Sequence, residues 1–164
     1  MSKLTFIDLF AGCGGFSEGF YKEDFRSLVH VDFDEAACLT IKERMKYYNY
    51  SQDEIENSVI CGDLTKEEIN AQIGNVIKNT KVDVLVGGPP CQSFSSVGRA
   101  QDPNSMKDDP RNYLFQNYIN ILEKYMPKVF VFENVSGLLS AKPNGKFIFP
   151  EIIKAMSKHY NVCD

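Results

Sequence analysis

Two rhythms of apolar residues alternate along the 164 residues. Short β-leaning runs alternate with longer stretches whose apolar positions return every three or four residues. Leu4–Phe10 is the first run, broken by Ala11-Gly12-Cys13-Gly14-Gly15, after which Phe16–Tyr21 is helix-compatible. Ser27–Val31 predicts a second strand ending at Asp32, and Ala37, Ile41 and Met45 mark an amphipathic helix over about residues 35–46. Residues 47–58 are polar and aperiodic and read as a surface connection. Val59–Cys61 predicts a third strand stopped by Gly62 and Asp63. Thr65 and Glu68 form a capping-box pattern opening a helix that carries Ile69, Ile73, Val76 and Ile77. A fourth strand, Val82–Val86, is followed by a long aperiodic stretch, and Leu114, Tyr118, Ile121, Leu122 and Tyr125 mark the next helix. Val129–Phe132 predicts a fifth strand, Phe149, Ile152, Ile153 and Met156 a last helix, and Tyr160–Cys163 the start of a sixth strand. Strands alternating with helices predict an α/β fold, a doubly wound and mostly parallel sheet covered on both faces.

The polar residues fall at repeating places in this scheme. Gly12 and Gly14, Asp32, Asp63, Cys91 and Glu133 stand at the carboxyl ends of successive predicted strands, where open α/β sheets bind their ligands. The strand–glycine turn–helix at Gly12 turns backbone N–H groups and a positive helix end toward a ligand. Asp32 lies where an acid meets a ribose in nucleotide-binding units, although Ser17 replaces the third glycine of the dinucleotide fingerprint. Taken singly, Asp32 has a helix N-cap as its bland alternative, and Asp63 reads equally as turn or capping chemistry. Gly87-Gly88-Pro89-Pro90 precedes Cys91 with a backbone of few available conformations, so the thiol is held rigidly. The aperiodic loop Gln92–Pro110, rich in Ser, Gly, Asp and Pro, is long enough to serve as a lid or binding loop.

Composition narrows the picture. With 43% apolar residues and this length, residues 1–164 form one domain with a sizeable core. Five cysteines without a CxxC pair argue against a disulfide framework or a zinc site, and for a reducing cytoplasm. No run of membrane-spanning length and no signal peptide is evident, so neither a membrane partner nor a bound metal is expected. The net charge of −4 argues mildly against a self-sufficient nucleic-acid binder.

Phe6-Ile7-Asp8-Leu9-Phe10-Ala11-Gly12-Cys13-Gly14-Gly15, Gly87–Ser95 (GGPPCQSFS) and Glu133-Asn134-Val135 together resemble the DNA (cytosine-5) methyltransferases, in the family's order and spacing. The resemblance covers essentially the whole chain and implies a Rossmann-like, S-adenosylmethionine-dependent methyltransferase fold. It implies Cys91 as the thiolate that adds to cytosine C6, and Glu133 as the proton-holding group at N3. A thiolate suits the first task, being strongly nucleophilic and able to leave afterwards. The target base, inaccessible in a stacked duplex, is flipped out, with the loop after Cys91 as its cover.

The match further implies an S-adenosylmethionine site over Phe10, Gly12 and Gly14. Asp32 would hold the ribose hydroxyls, Phe33 the adenine face and Asp63 the adenine amino group, with Leu64, Pro89 and Leu114 as apolar walls. Asp32 stands where the family usually has Glu. Gln92 and Ser93 follow the nucleophile, and Arg99 and Arg111 are candidate phosphate contacts. The family continues with an arginine-containing motif, a target-recognition region and a late helix that are missing here. The fold is therefore expected to be incomplete on its C-terminal side, as a fragment or as one subunit of a split bacterial enzyme. Double-stranded DNA and a second chain are the implied partners, and the isolated chain is expected not to methylate DNA. A transfer-RNA cytosine-5 methyltransferase, a non-catalytic S-adenosylmethionine-binding module and a redox role for Cys91 are the alternative readings.

Overall fold

A computed structural model describes residues 3–90, 113–142 and 145–163. Cys91, Gln92, Ser93, Arg99, Arg111 and the loop Gln92–Pro110 lie outside the described residues. The chain gathers into two compact units, Met1–Gly88 with Leu122–Glu133, and Pro89–Ile121 with Asn134–Asp164.

The first unit is built on a five-stranded sheet ordered β3-β2-β1-β4-β5, formed by β1 (Thr5–Leu9), β2 (Arg26–Asp32), β3 (Val59–Cys61), β4 (Val84–Gly87) and β5 (Val129–Phe132). All four pairings are parallel. The central β1 sets Ile7 opposite Val29 on one side and Leu85 on the other. Phe6, Ile7 and Leu9 are wholly buried, as expected of a parallel strand covered on both faces. The connections carry α1 (Gly15–Lys22), α2 (Glu35–Tyr47), α3 (Gln52–Ser58), α4 (Glu67–Ile77) and α5 (Leu114–Tyr125). Strand order runs outward through β2 and β3, then resumes beyond β1 at β4. The expected Rossmann-like, doubly wound α/β fold is thus present, and its order reverses beside β1, the position at which such sheets open a crevice.

Phe6 packs with Tyr21, Cys38, Ile41, Met45, Ile55 and Val59 in one core cluster, so α1, α2 and α3 share it. Helix α4 contacts β2 and β3 and buries Ile69, Ile73 and Ile77 of the stripe its sequence predicts, with Val76 half-buried. In the second unit the 3-10 turn Ser136–Ser140 packs with α6 (Phe149–Met156), and Leu138, Ile152 and Met156 are buried.

Three local expectations change. The stretch 47–58, expected as a surface connection, contains α3, opened by a reciprocal capping box between Ser51 and Glu54. The Ser-x-x-Glu signal was there, but Ile55 is the helix's one strongly apolar residue, too little to set a period. The capping box expected at Thr65 and Glu68 does not form: α4 begins after Lys66 with no side-chain cap. Tyr160–Cys163 shows strand-like alternation but adopts no strand, and among the described residues no sixth strand joins the sheet. Alternation needs a ladder partner to become a strand. Among the described residues no helix is long and apolar enough to cross a membrane.

Candidate active site

At the end of β1 the backbone enters the left-handed region at Phe10 (φ +57°), Gly12 (φ +52°) and Gly14 (φ +84°). Gly12 and Gly14 adopt it without strain, whereas a bulky residue such as Phe10 does so at a cost. Sites of that kind cluster around bound ligands. The loop closes through the Gly14 N–H, which donates to the Ala11 carbonyl at 2.9 Å, and α1 starts directly after it. A Cβ built on Gly12 meets nothing within 4 Å, so the space over the turn is open.

Asp32 ties three strand ends together. Its Oδ2 accepts the Gly12 N–H at 2.7 Å, its Oδ1 accepts the Asp34 N–H at 2.9 Å, and its carbonyl accepts the Gly62 N–H at 2.8 Å. It is not the cap of α2: that position belongs to Asp34, whose side chain accepts from the Ala37 N–H. Each carboxylate oxygen of Asp32 therefore engages one donor and keeps acceptor capacity for another. Phe33, beside it, is 71% exposed. Asp63 accepts the Thr65 N–H at 2.9 Å on Oδ1, and this bond with the following turn holds its carboxyl below the usual range. Turn chemistry thus occupies part of Asp63, and Leu64 beside it is buried.

The ends of β4 and β5 meet more closely still. A Cβ on Gly87 would lie 2.5 Å from the Leu9 carbonyl oxygen, so only glycine lets β4 approach β1 here. A Cβ on Gly88 would collide with Glu133 Oε2 and lie 3.3 Å from Glu133 Cβ. The Glu133 N–H donates to the Gly87 carbonyl at 3.0 Å, fixing the backbone that presents the carboxylate. Glu133 itself is exposed. Pro89 and Leu114 belong to the second unit, Pro89 buried and Leu114 half-buried.

Gly12, Asp32, Asp63, Gly88 and Glu133 consequently stand at the carboxyl ends of all five strands. An open turn, a carboxylate with spare acceptor sites and an exposed ring beside it fit a nucleoside with a sugar diol and a flat base. They would hold S-adenosylmethionine by its adenosine part. No cluster of His, Cys, Asp and Glu suited to a metal ion occurs among the described residues.

A buried polar group was missed from the sequence. Asp8 on β1, Ser17 on α1 and His30 on β2 are all but fully buried, with Tyr21 and Ser27 beside them. Ser17 Oγ donates to Asp8 Oδ2 at 2.5 Å and lies 3.1 Å from His30 Nδ1, while Tyr21 Oη lies 2.9 Å from His30 Nε2. Burial pushes the Asp8 carboxyl up to about 7 and the His30 imidazole down to about 3. A lone acid and a lone histidine inside two apolar runs were the available signal.

A family model described as C-5 cytosine-specific DNA methylase matches residues 4–163. The type II methyltransferase M.Bpa9945I of Bacillus paralicheniformis is 37% identical over 91% of this chain and 44% of its own length. M.DdeI of Desulfomicrobium norvegicum, also a type II methyltransferase, is 36% identical over 98% of this chain and 35% of its own. A solved E. coli structure, of a prophage-encoded protein named as a DNA modification methyltransferase, superposes with a TM-score of 0.68 at 28% identity. The match covers 99% of this chain and 40% of that one. The chain thus spans less than half the length of each of these relatives.

Proposed function

Because the chain belongs to the C-5 cytosine-specific DNA methylases, a family that uses S-adenosylmethionine, we propose that it carries the cofactor cradle and the reacting groups of an enzyme that methylates cytosine C5 in double-stranded DNA. One observation carries this reading: the five strand ends of a single parallel sheet present Gly12, Asp32, Asp63, Gly88 and Glu133 together.

Asp32 accepts hydroxyl protons of the ribose on the lone pairs its two backbone donors leave free. Phe33 stacks on the adenine. Asp63 accepts from the exocyclic amine through the oxygen that Thr65 does not engage. Phe10, Gly12 and Gly14 line the turn, and Leu64 excludes water beside Asp63.

Cytosine C5 is a poor nucleophile until the ring is activated. The Cys91 thiolate adds to C6 of the flipped base, forming a C–S bond and pushing the C5–C6 electron pair toward the ring. Glu133, holding a proton at N3, stabilises the charge that arrives there. S-adenosylmethionine, when bound, would supply the methyl group that C5 takes up, its S–CH3 bond breaking to leave S-adenosylhomocysteine. Loss of the C5 proton to a base and expulsion of the Cys91 thiolate then restore the aromatic ring, so atoms and electrons balance. Gln92 and Ser93, with Arg99 and Arg111 on phosphates, belong to the loop that covers the flipped base.

The relatives are more than twice as long as this chain, so the surface that reads DNA is assigned to polypeptide beyond these residues, on the same chain or on a second one. An acidic chain has little counterion release with which to hold a duplex. The test is transfer of labelled methyl groups to mixed-sequence DNA, with and without a polypeptide supplying the remaining length. Turnover only in its presence, with label at cytosine C5, is expected. Label at another atom would overturn the assignment, and full turnover by the 164 residues alone would overturn the division of labour.

A further inference from the structure

The dinucleotide fingerprint places its third glycine so that the helix can pack closely on the strand. Here that position is Ser17, five residues beyond Gly12, and it is 1% exposed. Instead of omitting a side chain at the contact, the chain uses one. Ser17 Oγ donates to Asp8 Oδ2 at 2.5 Å on β1, and lies 3.1 Å from His30 Nδ1 on β2. Asp8 and His30 are register partners on the paired strands, so the hydroxyl bridges both strands from the first turn of the helix. His30 is in turn held by Tyr21 Oη at 2.9 Å from Nε2, and Tyr21 Oη lies 3.1 Å from Ser27 Oγ. The Ser27 N–H donates to Tyr50 Oη at 2.8 Å.

The loop above has one side-chain anchor among the described residues, the Asp32 carboxylate. Between β1 and α1 its residues make backbone bonds from Ala11 to Val31 and from Gly14 to Ala11, plus the Gly12 N–H on Asp32. Of its left-handed positions Phe10 is the strained one, and it persists only where the surrounding structure over-determines it. The upstream end is fixed by the sheet. The downstream end is fixed where Ser17 meets Asp8.

We infer that Ser17 is a positioning residue for the cofactor turn: its hydroxyl, held between Asp8 and His30, sets α1 against β1 and β2 and so fixes the N–H groups of Gly12 and Gly14. This rests on the cofactor reading of the turn given above. Groups facing Ser17 are Asp8 from β1 and His30 from β2; Tyr21 of the same helix holds the other ring nitrogen of His30, and Asp32 further along β2 is within electrostatic reach of Asp8. Asp8 Oδ1 is buried with no hydrogen-bond partner among the described residues, so Ser17 is the carboxyl's one side-chain donor there.

The test compares wild type with Ser17→Ala and Ser17→Gly, the second restoring the fingerprint's glycine without the hydroxyl. Amide hydrogen exchange on the ligand-free chain reads the turn directly, and calorimetric titration with S-adenosylhomocysteine reads its consequence. Both variants should exchange the amides of residues 11–15 at least about tenfold faster, with α4 unchanged, and bind the probe about tenfold more weakly, the scale for losing a buried hydrogen bond to a charged group. A carbon-13 titration of Asp8 should move upward in both, because the Ser17 hydroxyl bond that favours the carboxylate is gone while the backbone bond of residue 17 remains. If Ser17→Gly kept wild-type exchange in the turn, close packing alone would suffice and the inference fails. If Ser17→Ala were too unstable to study, the Ser17→Gly result and Asp8→Asn, whose amide oxygen still accepts from Ser17 and which should preserve turn protection, decide it. Failure of wild type to bind the probe would count against the cofactor reading, whereas the exchange result bears on Ser17 alone.

Discussion

The carboxylate of Glu133 occupies the space in which any side chain on Gly88 would stand: a Cβ there would collide with Oε2. The contact joins the carboxyl ends of β4, which leads to Cys91, and β5, which carries the acid. Gly88→Ala should therefore push Glu133 aside while leaving the turn between β1 and α1 untouched. Methyl transfer is expected to fall by at least about 100-fold, the scale of losing a proton-transfer group. Binding of S-adenosylhomocysteine should stay within about twofold of wild type, because sites with no shared partners act independently. Steady-state rates, taken with the remaining polypeptide supplied, beside calorimetric titration separate the two, and equal losses in both would contradict the assignment.

Asp32 holds the turn through its two backbone donors and is proposed to take the ribose, and its substitution should test both. Asp32→Ala removes acceptors for the Gly12 and Asp34 N–H groups as well as for the ribose. S-adenosylhomocysteine binding should weaken by roughly 1–3 kcal/mol. Asp32→Asn, which keeps one acceptor oxygen, should retain most of the melting temperature but lose part of the affinity. Unchanged affinity in both variants would make Asp32 a turn residue only.

Asp8 and His30 make opposite demands on pH. The Asp8 carboxyl is raised from 3.8 to about 7, so its contribution is complete below pH 3.8 and is lost as pH rises through about 7. The His30 imidazole is lowered from 6.5 to about 3, so its contribution is present above pH 6.5 and is lost as pH falls through about 3. Between about pH 4 and 6.5 the folded state binds one proton more than the unfolded state at Asp8 and one fewer at His30, and the slopes cancel. Asp8→Asn should uncover the histidine slope, with stability relative to wild type rising with pH in that window. His30→Asn should uncover the opposite slope. Urea unfolding at several pH values checks this, and parallel curves for all three proteins would refute it.

Removing the cap of α3 is a local test of the fold. Ser51→Ala breaks the reciprocal bonds with Glu54 and should cost about 1 kcal/mol. Chemical denaturation measures it, and no loss would show the box to be incidental.

The parallel sheet was legible because each strand is a short apolar run ending in Gly, Asp or Glu, and the site was legible because those endings fall on one rim. What escaped had a common physical cause. Asp8 and His30 look like interruptions of apolar runs until the register of β1 and β2 sets them side by side and Ser17 bridges them. Helix α3 has Ile55 alone to signal a buried face, and Thr65 was spent on the Asp63 turn instead of a cap. Tyr160–Cys163 had the alternation of a strand without a partner to pair with. Pattern reports a residue's own preference, while these outcomes depend on the neighbour it meets.

The central claim is that Cys91 attacks C6 of a flipped cytosine. Trapping on a duplex containing 5-fluorocytosine tests it most directly, with the remaining polypeptide and S-adenosylmethionine supplied. Fluorine at C5 cannot leave as a cation, so the adduct persists after methyl transfer. Wild type should yield a denaturant-stable protein–DNA species whose mass equals protein, duplex and one methyl group, and Cys91→Ser should yield none. An adduct of that mass formed by Cys91→Ser would contradict the account.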